Sequence, residues 1–173
     1  NRFISERVNQ LRNWNMNFIQ GDILDKELIN LHCADADIIH HLAGVTDVPR
    51  TKTDSNQIKD DKIKLVAQEG TQNILNAISD ECKIIFPSTH VVYEGIEKVK
   101  NNISEEETLK PVLSYSESKA LNEKQLKNSG KNYIILRLGS VYGYSTDTAR
   151  IDIMPNLFSK ISSQNGTIKL FAG

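Results

Sequence analysis

Cysteine is scarce in this sequence of 173 residues, which contains only Cys33 and Cys82. The two can in principle pair, but a chain with this pattern of strands and helices does not need a disulfide. We therefore expect two reduced thiols in a cytoplasmic protein. His32 precedes Cys33, yet no second pair of ligands follows at the spacing of a metal site, so we predict no metal centre.

Long apolar runs and basic clusters are lacking as well. No apolar stretch approaches the roughly 20 residues that span a bilayer, and residues 1–14 do not have the pattern of a signal peptide. The net charge is −1, and no long run of Lys or Arg stands out. These absences argue against a nucleic-acid or membrane partner. The length and the apolar content of 39% suit one ordinary globular domain.

Four short apolar runs, rich in β-branched or aromatic residues, predict strands. They are Phe18–Ile19, Asp37–Leu42, Lys83–Phe86 and Tyr133–Leu138. The last three are nearly continuous rather than alternating, which predicts strands that are covered on both faces.

Longer segments between these runs predict helices. The clearest is Asp61–Ile78, where apolar residues recur with a period close to 3.6 and Gly70 lies on the same stripe. A glycine there costs about 1 kcal/mol relative to alanine, which close packing of another backbone would offset. Two further helices are predicted over Pro111–Ser129, with Gly130 as the stop, and over Ile151–Ser162, with Pro155 in the first turn.

Strands that alternate with helices predict an α/β fold, a doubly wound parallel sheet of the Rossmann-like kind. The polar segment Lys98–Lys110 is an expected exposed connection. The chain opens in what reads as a helix and closes on Thr167–Gly173, which reads as a strand. We therefore expect a fragment whose fold is incomplete at both ends.

Tyr115 and Lys119 are the first candidates for chemistry. Four residues apart on a helix, they lie on one face. An ammonium beside a phenol favours the phenolate and lowers the pKa of the tyrosine from its usual value near 10. Such a tyrosine can take a proton from a substrate hydroxyl as hydride leaves the same carbon. Taken alone, however, this spacing is more often that of a solvated helix face.

Three further groups follow predicted strands, at the edge of an α/β sheet where ligands bind. Ser88 and Thr89 place two hydroxyls there, which can bond a substrate oxygen or merely cap backbone groups. The run His41–Gly44 allows close approach by a ligand, or is an ordinary loop. Asp22 can accept a hydrogen bond from adenine; equally, Asp22 or Asp25 can cap a helix.

Together these groups resemble one family, the extended short-chain dehydrogenase/reductases, and within it the NAD-dependent epimerase/dehydratase group that acts on nucleotide sugars. Six motifs stand in the family's order and at similar spacing over roughly Gly21–Gly143. They are Gly21–Asp25, His41–Gly44, Gly70–Asn73, Ser88–Tyr93, the pair Tyr115 and Lys119, and Arg137–Gly143.

The resemblance implies a role for each matching position, with NAD as the cofactor and NADP left open. Tyr115 is the expected acid/base, Lys119 is expected to hold the nicotinamide ribose, and Thr89 is the expected hydroxyl partner; these three are the implied catalytic residues. The implied cofactor-binding residues are Asp22, Ile23, Leu42, Ala43, Gly44, Pro87, Tyr115, Lys119, Leu138 and Val141, and the implied substrate-binding residues are Ser88, Thr89 and Ser140.

The sequence also departs from the family's pattern. None of its nine glycines forms the Gly-rich fingerprint that places a pyrophosphate on a helix N-terminus. We therefore expect residues 1–150 to be a partial dinucleotide-binding domain without its first βαβ unit, which binds NAD poorly, and 151–173 to begin the substrate-binding region. Ala67 and Ser140 stand where the family often has Asn, and Glu94 intervenes where the family usually runs Tyr-Gly.

One departure bears on the reaction. His90 and Val91 occupy the positions where related 4,6-dehydratases carry Asp-Glu. Val91 cannot transfer a proton, and a histidine beside a strand end is more often simply hydrogen-bonded. This favours epimerase or reductase chemistry over dehydration and decarboxylation. Our first hypothesis is a nucleotide-sugar epimerase, with an NAD(P)-dependent reductase or dehydrogenase and an inactive truncated or non-catalytic domain as alternatives. The resemblance also implies a homodimer, formed through the Tyr-bearing helix and the helix around residues 63–78.

Overall fold

The computed structural model describes residues 2–46, 56–143, 151 and 153–169. The chain divides into two compact units, one of residues 1–20 with 140–173 and the other of residues 21–139. The elements in chain order are α1 (Arg2–Asn13), α2 (Lys26–Cys33), β1 (Ile38–His40), α3 (Gln57–Ala77), β2 (Lys83–Thr89), a 3₁₀ turn (His90–Tyr93), α4 (Ser114–Asn128), β3 (Asn132–Leu138) and α5 (Met154–Ser163).

The unit of residues 21–139 is built on a parallel sheet in the order β1-β2-β3. Ile39 pairs with Ile84 across the first ladder, and Ile84 pairs with Tyr133 across the second. The prediction of an α/β fold with a parallel, Rossmann-like sheet is therefore confirmed. Because all three strands run the same way, their carboxyl ends meet at one edge of the sheet.

The core of this unit lies between one face of the sheet and its helices. Ile84 and Phe86 of β2 are almost completely buried there, against apolar side chains of α3 and α4. The other buried members of this cluster are Ile74, Leu75, Ile78, Cys82 and Leu126. Each fully buried aliphatic or aromatic side chain of this kind contributes about 1.5–3 kcal/mol.

The prediction that the strands are covered on both faces is wrong for this unit. Side chains alternate along a strand, and on the face opposite the core those of the outer strands β1 and β3 are well exposed: Ile38 is 54%, Ile134 42% and Leu136 41% exposed. A sheet face is buried only where another layer packs on it. Here apolar side chains of α2, α3 and α4 pack into the cluster on the core face.

Two element boundaries also differ from prediction. Phe18 and Ile19 are exposed and form no strand, since no strand among the described residues pairs with them. The helix predicted from Pro111 begins at Ser114, because Leu113 is still extended, with φ −98° and ψ 153°. Its stop is confirmed: α4 ends at Asn128, and Gly130 has the positive φ of +72° that suits a residue after a helix.

The helix predicted over Asp61–Ile78 begins one turn earlier, at Gln57, where the Asn56 side chain caps the Ile58 amide at 3.0 Å. Gly70 is buried within it, as its position on the apolar stripe predicts. The group that packs there is a side chain rather than a backbone: a Cβ on Gly70 would come within 2.8 Å of Ile23 Cγ2.

The other unit contains α1 and α5. Helix α5 begins at Met154 with Pro155 in its first turn, which confirms the predicted helix. Of the predicted strand Thr167–Gly173, residues 167–169 form no strand and the rest lie outside the described residues, as does the predicted domain boundary at residue 150. No helix in the described part of the chain is both long and apolar enough to span a membrane.

Candidate active site

The carboxyl ends of β1, β2 and β3 bring several of the predicted residues to one edge of the sheet. β2 runs through Pro87 and Ser88 to Thr89, and β1 leads into His41 and Leu42. Helix α4 packs on β2 and on the 3₁₀ turn that follows it. This edge is where open α/β sheets bind ligands.

Tyr115 and Lys119 stand on the first turns of α4, beside this edge. The Lys119 ammonium lies 5.9 Å from the centre of the Tyr115 ring, and it donates a hydrogen bond of 2.8 Å to the carbonyl of Pro87. It also lies over the Phe86 ring, 4.4 Å from its centre. The fold thus anchors Lys119 to the last residues of β2 and keeps its charge next to Tyr115.

Burial lowers the pKa of Lys119 to about 8, because the ammonium has lost part of its hydration. The group is still a cation at neutral pH. A partly desolvated ammonium acts on a neighbouring phenol more strongly than one in bulk water does.

The two hydroxyls at the end of β2 have different partners. Ser88 is buried and donates a hydrogen bond of 2.6 Å to Glu123 Oε1. Thr89 Oγ1 accepts from the amide of Val91 at 3.3 Å and caps the 3₁₀ turn. The Thr89 hydroxyl keeps its own hydrogen for donation, whereas the hydrogen of Ser88 is already committed to Glu123.

Glu123 forms an ion pair with Arg137 of β3 that the sequence reasoning did not identify. Arg137 Nη2 lies 2.7 Å from Glu123 Oε2, Arg137 Nε donates to the same carboxylate at 3.0 Å, and the Glu123 side chain is only 1% exposed. Burial opposes ionisation of Glu123, but hydrogen bonds from Arg137 and Ser88 outweigh it and hold the pKa below its ordinary value. Arg137 also donates to the hydroxyl of Tyr93.

His41, directly after β1, is a second buried polar residue that sequence reasoning missed. Its Nε2 lies 2.8 Å from Thr71 Oγ1, and its ring packs on Phe86 with 5.3 Å between the centres. Its Nδ1 is buried and has no hydrogen-bond partner among the described residues. Burial, assisted by the charge of Lys119, lowers the pKa of His41 to about 4, so the ring is neutral at pH 7.

Asp22 and Asp25 are engaged in local hydrogen bonds. Asp25 caps α2 by accepting from the Leu28 amide at 3.0 Å, and Asp22 Oδ1 accepts from the Leu24 amide at 2.9 Å. Ile23 accepts a hydrogen bond from Asn73 through its carbonyl, at 3.0 Å. Asp25 therefore has the helix-capping role that was the alternative prediction. Asp22 is exposed, and its bond to the Leu24 amide uses one of its two carboxylate oxygens.

The remaining predicted residues lie in exposed segments. Leu42, which follows β1, is 71% exposed, Ala43 and Gly44 are exposed as well, and Leu138 ends β3. Ser140 and Val141 belong to the other unit, where both are exposed.

His90 occupies one of the two positions after Thr89 that distinguish dehydratases by sequence. Its exposed ring is hydrogen-bonded. Its Nδ1 lies 3.1 Å from the carbonyl of Leu138. Since a carbonyl only accepts, Nδ1 must carry the hydrogen. This is the simple hydrogen-bonding role that the sequence favoured for His90.

A signal for the Glu123–Arg137 pair is present in the sequence. Glu123 follows Tyr115 and Lys119 at further intervals of four and so shares their helix face. Arg137 stands in the otherwise apolar run Tyr133–Leu138, where a charge needs a partner. His41 offers a weaker signal, because a histidine at the end of an apolar strand has many uses.

A parallel α/β sheet with a tyrosine and a lysine at its carboxyl edge defines a protein of the Rossmann-like class. Within that class, the chain belongs to the NAD-dependent epimerase/dehydratase family, which it matches over residues 2–172.

Individual proteins agree with this assignment. The low-salt glycan biosynthesis protein Agl12 of Haloferax volcanii is 32% identical over 108 residues, which are 61% of this chain and 33% of that protein. A mutant of UDP-glucuronic acid 4-epimerase from Bacillus cereus, in complex with NAD and UDP-4-deoxy-4-fluoro-glucuronic acid, is 25% identical with a TM-score of 0.72. The match covers 97% of this chain and 52% of that one.

UDP-glucose 4-epimerase from Brucella ovis, in complex with NAD, is also 25% identical, with a TM-score of 0.58 over 75% of this chain and 40% of that one. The chain thus spans about a third of the curated relative and about half or less of these solved structures.

Proposed function

We propose that the protein containing this chain is a nucleotide-sugar epimerase that uses NAD, with Tyr115 as its acid/base. The observation that carries the proposal is the position of Lys119, which is held by the carbonyl of Pro87 with its charge 5.9 Å from the Tyr115 ring. NAD is favoured over NADP because both relatives at 25% identity are complexes with NAD.

The residues at this edge fit the nicotinamide end of the cofactor. An ammonium has three donors, and Lys119 uses one on Pro87, which leaves others for ribose hydroxyls. A Cβ on Gly44 would meet no atom within 4 Å, so a ligand can approach the backbone there. The chain's own motifs do not include the Gly-rich loop for a pyrophosphate, and we assign no residue to that group.

The chain's residues divide the proton transfers between them. Tyr115, as the phenolate, takes the proton of the sugar hydroxyl and later returns it to the same oxygen. Lys119 stabilises the phenolate by its charge, and the Thr89 hydroxyl donates to the sugar oxygen. NAD, when bound, supplies the hydride acceptor, and return of the hydride to the other face of the sugar inverts the carbon.

Ser88 has a different role from the substrate contact that the family resemblance implies. Its hydroxyl is buried and donates to Glu123, so we assign it to holding the end of β2 against α4. Thr89 then carries the substrate contact alone among the two hydroxyls.

Epimerisation is favoured over dehydration by the 3₁₀ turn after Thr89. Elimination of a sugar hydroxyl needs an acid and a base in addition to the tyrosine. Val91 supplies neither, and the exposed His90 can offer only Nε2, because its Nδ1–H is bonded to the Leu138 carbonyl at 3.1 Å.

The test uses the complete gene product with UDP-glucuronic acid and UDP-glucose as probe substrates. We expect inversion of the sugar carbon without net change in the absorbance of reduced nicotinamide, and a loss of at least about 100-fold in Tyr115→Phe, as for removal of a general base. A steady change in that absorbance would identify a reductase instead. Near-wild-type turnover of Tyr115→Phe would exclude this mechanism.

Two further properties are proposals with their own measurements. Calorimetric titration of residues 1–173 with NAD is expected to show weak or no binding; clear micromolar binding would show that the pyrophosphate needs no Gly-rich loop.

Helices α3 and α4 pack side by side, and we propose that they form the interface of a homodimer. Sedimentation of the complete gene product tests this proposal.

A further inference from the structure

The start of α4 is not held by an N-cap side chain, and from within the helix Ser116 reaches back to the Leu113 amide, at 3.2 Å. A helix leaves its first backbone N–H groups without partners inside the helix. The N-cap residue usually supplies a side-chain oxygen, but here it is Leu113, which has none. Tyr115 stands on this turn, so whatever holds the residues that lead into the helix also determines how firmly Tyr115 is held.

Glu94 holds the start of α4 from outside the helix, through the two residues that precede it. Its Oε1 accepts a hydrogen bond of 2.8 Å from the amide of Val112 and another of 2.8 Å from the amide of Leu113. The hydroxyl of Ser116 donates to the same oxygen. Ser116 Oγ also accepts from the same two amides, at 3.3 and 3.2 Å. The groups that Glu94 binds therefore lie on both sides of Tyr115 in the sequence.

The same residue is joined to Thr89 through the 3₁₀ turn. The Glu94 amide donates to the carbonyl of Val91 at 3.1 Å, and the Val91 amide donates to Thr89 Oγ1 at 3.3 Å. A continuous path of hydrogen bonds thus runs from Thr89 through Val91 and Glu94 to Leu113, the residue before α4.

Backbone pairing beside Glu94 supports this path. The Gly95 amide donates to the carbonyl of Lys110, and the Lys110 amide donates to the carbonyl of Val92, both at 2.8 Å. A Cβ on Gly95 would come within 2.6 Å of the Lys110 oxygen, so the close approach of the two segments requires glycine there. Glu94 is thereby presented to α4 by a fixed backbone rather than by a free loop.

We infer that Glu94 is a positioning residue for Tyr115: it holds the start of α4 against the 3₁₀ turn and sets the placement of the tyrosine relative to Thr89. The inference rests on the proposed acid/base role of Tyr115. We assign Glu94 no contact with substrate or cofactor, and it acts through the residues that it holds at the start of α4. It is also the residue that intervenes between Tyr93 and Gly95, so the departure in sequence has a structural use.

The test compares Glu94→Ala with Glu94→Gln in the complete gene product, with UDP-glucuronic acid as the probe substrate. Small displacements of a catalytic group cost up to about 100-fold in rate, and we expect Glu94→Ala to lower kcat about 10-fold with little change in KM. Glu94→Gln keeps the accepting oxygen and is expected to restore most of kcat, because only the charge-assisted part of the bonds is lost. Glu117→Gln, on the first turn of the same helix and paired with Lys64 at 3.3 Å, is the matched control and is expected to keep kcat.

A second comparison separates positioning from a general loss of structure. If Glu94 acts through Tyr115, Glu94→Ala costs nothing further in a Tyr115→Phe background. An equal loss in both backgrounds, or an unchanged kcat in Glu94→Ala while Tyr115→Phe is inactive, would overturn the positioning role alone. Full activity of Tyr115→Phe would instead overturn the proposed function.

A measurement that needs no catalytic turnover tests the inference even where the probe substrate is not converted. Glu94→Asp keeps the charge but is one methylene shorter, and it replaces Glu94→Ala if that variant does not fold. In protein with isotopically labelled tyrosine, the NMR signals of the Tyr115 ring are expected to shift in Glu94→Ala or Glu94→Asp. In Glu94→Gln they are expected to return to their wild-type positions. Unchanged Tyr115 signals in a variant whose amides at Val112 and Leu113 have lost protection would contradict the inference.

Discussion

Ser88 donates a hydrogen bond of 2.6 Å to Glu123, and this bond joins the carboxyl end of β2 to the buried face of α4. Glu123 in turn pairs with Arg137 of β3, whose side chain is 11% exposed. One carboxylate therefore holds together the three elements that surround the candidate active site. This carboxylate matters for stability because it is buried, and a buried charge without its partner is costly where water cannot reach it.

Removal of Glu123 is expected to destabilise the protein strongly. Glu123→Ala leaves Arg137 buried without a counter-charge, and we expect a loss of about 3–5 kcal/mol in the free energy of unfolding, measured with urea. The exposed pair Lys64–Glu117 provides the contrast, and Glu117→Ala is expected to cost less than about 1 kcal/mol. The double variant Glu123→Leu with Arg137→Met is expected to be more stable than Glu123→Leu alone. A loss below about 1 kcal/mol for Glu123→Ala would show that Arg137 reaches water.

His41 is expected to make the fold sensitive to mild acid. Its pKa is lowered from 6.5 to about 4 in the folded state. Between these two values the unfolded chain binds one more proton than the folded chain, so the stability that the neutral ring contributes is lost as pH falls through this window. Within this window, titration of His41 is expected to change the free energy of unfolding by about 1.4 kcal/mol per pH unit.

The measurement is the free energy of unfolding as a function of pH for the wild type and His41→Gln. The variant is expected to have a shallower slope between pH 4 and 6.5. His32→Gln, which removes an exposed histidine from α2, serves as the control. Parallel curves for the wild type and His41→Gln would mean that His41 titrates as it does in the unfolded chain.

Lys119 is expected to lose its proton well below the pH at which exposed lysines do. Burial lowers its pKa from 10.5 to about 8. In protein with isotopically labelled lysine, the signal of the carbon next to the Lys119 ammonium is expected to titrate near pH 8. Lys119→Met, which lacks the signal, identifies it. A midpoint at the ordinary lysine value would show that water hydrates the ammonium fully.

Gly70→Ala tests the contact between Gly70 of α3 and Ile23, which lies in the loop before α2. Alanine improves helix propensity by about 1 kcal/mol, but its Cβ would lie 2.8 Å from Ile23 Cγ2, and overpacking typically costs about 1–3 kcal/mol. We expect a net loss in the free energy of unfolding. In the Ile23→Ala background the same substitution is expected to be neutral or stabilising, because the clash is gone. A stabilised single variant would show that Ile23 moves aside without cost.

Much of this molecule follows from local sequence. Apolar periodicity predicts α3, because a stripe at 3.6-residue spacing can be buried only as a helix, and Gly130 marks the end of α4 because its positive φ suits glycine. Apolar runs predict β1, β2 and β3, and their alternation with helices predicts parallel pairing. The placement of Tyr115 and Lys119 on one helix face follows from the same period.

Tertiary structure decided what each polar group is used for. Nothing near Ser88 in the chain indicates that its hydroxyl belongs to Glu123, 35 residues away. Nor does anything indicate that Glu94 binds the amide of Val112, 18 residues further on and just before α4. Such bonds depend on which elements the fold brings together, and burial then makes them obligatory because a buried polar group without a partner is unstable. Periodicity along the chain determines the elements, whereas the packing of those elements assigns the partners.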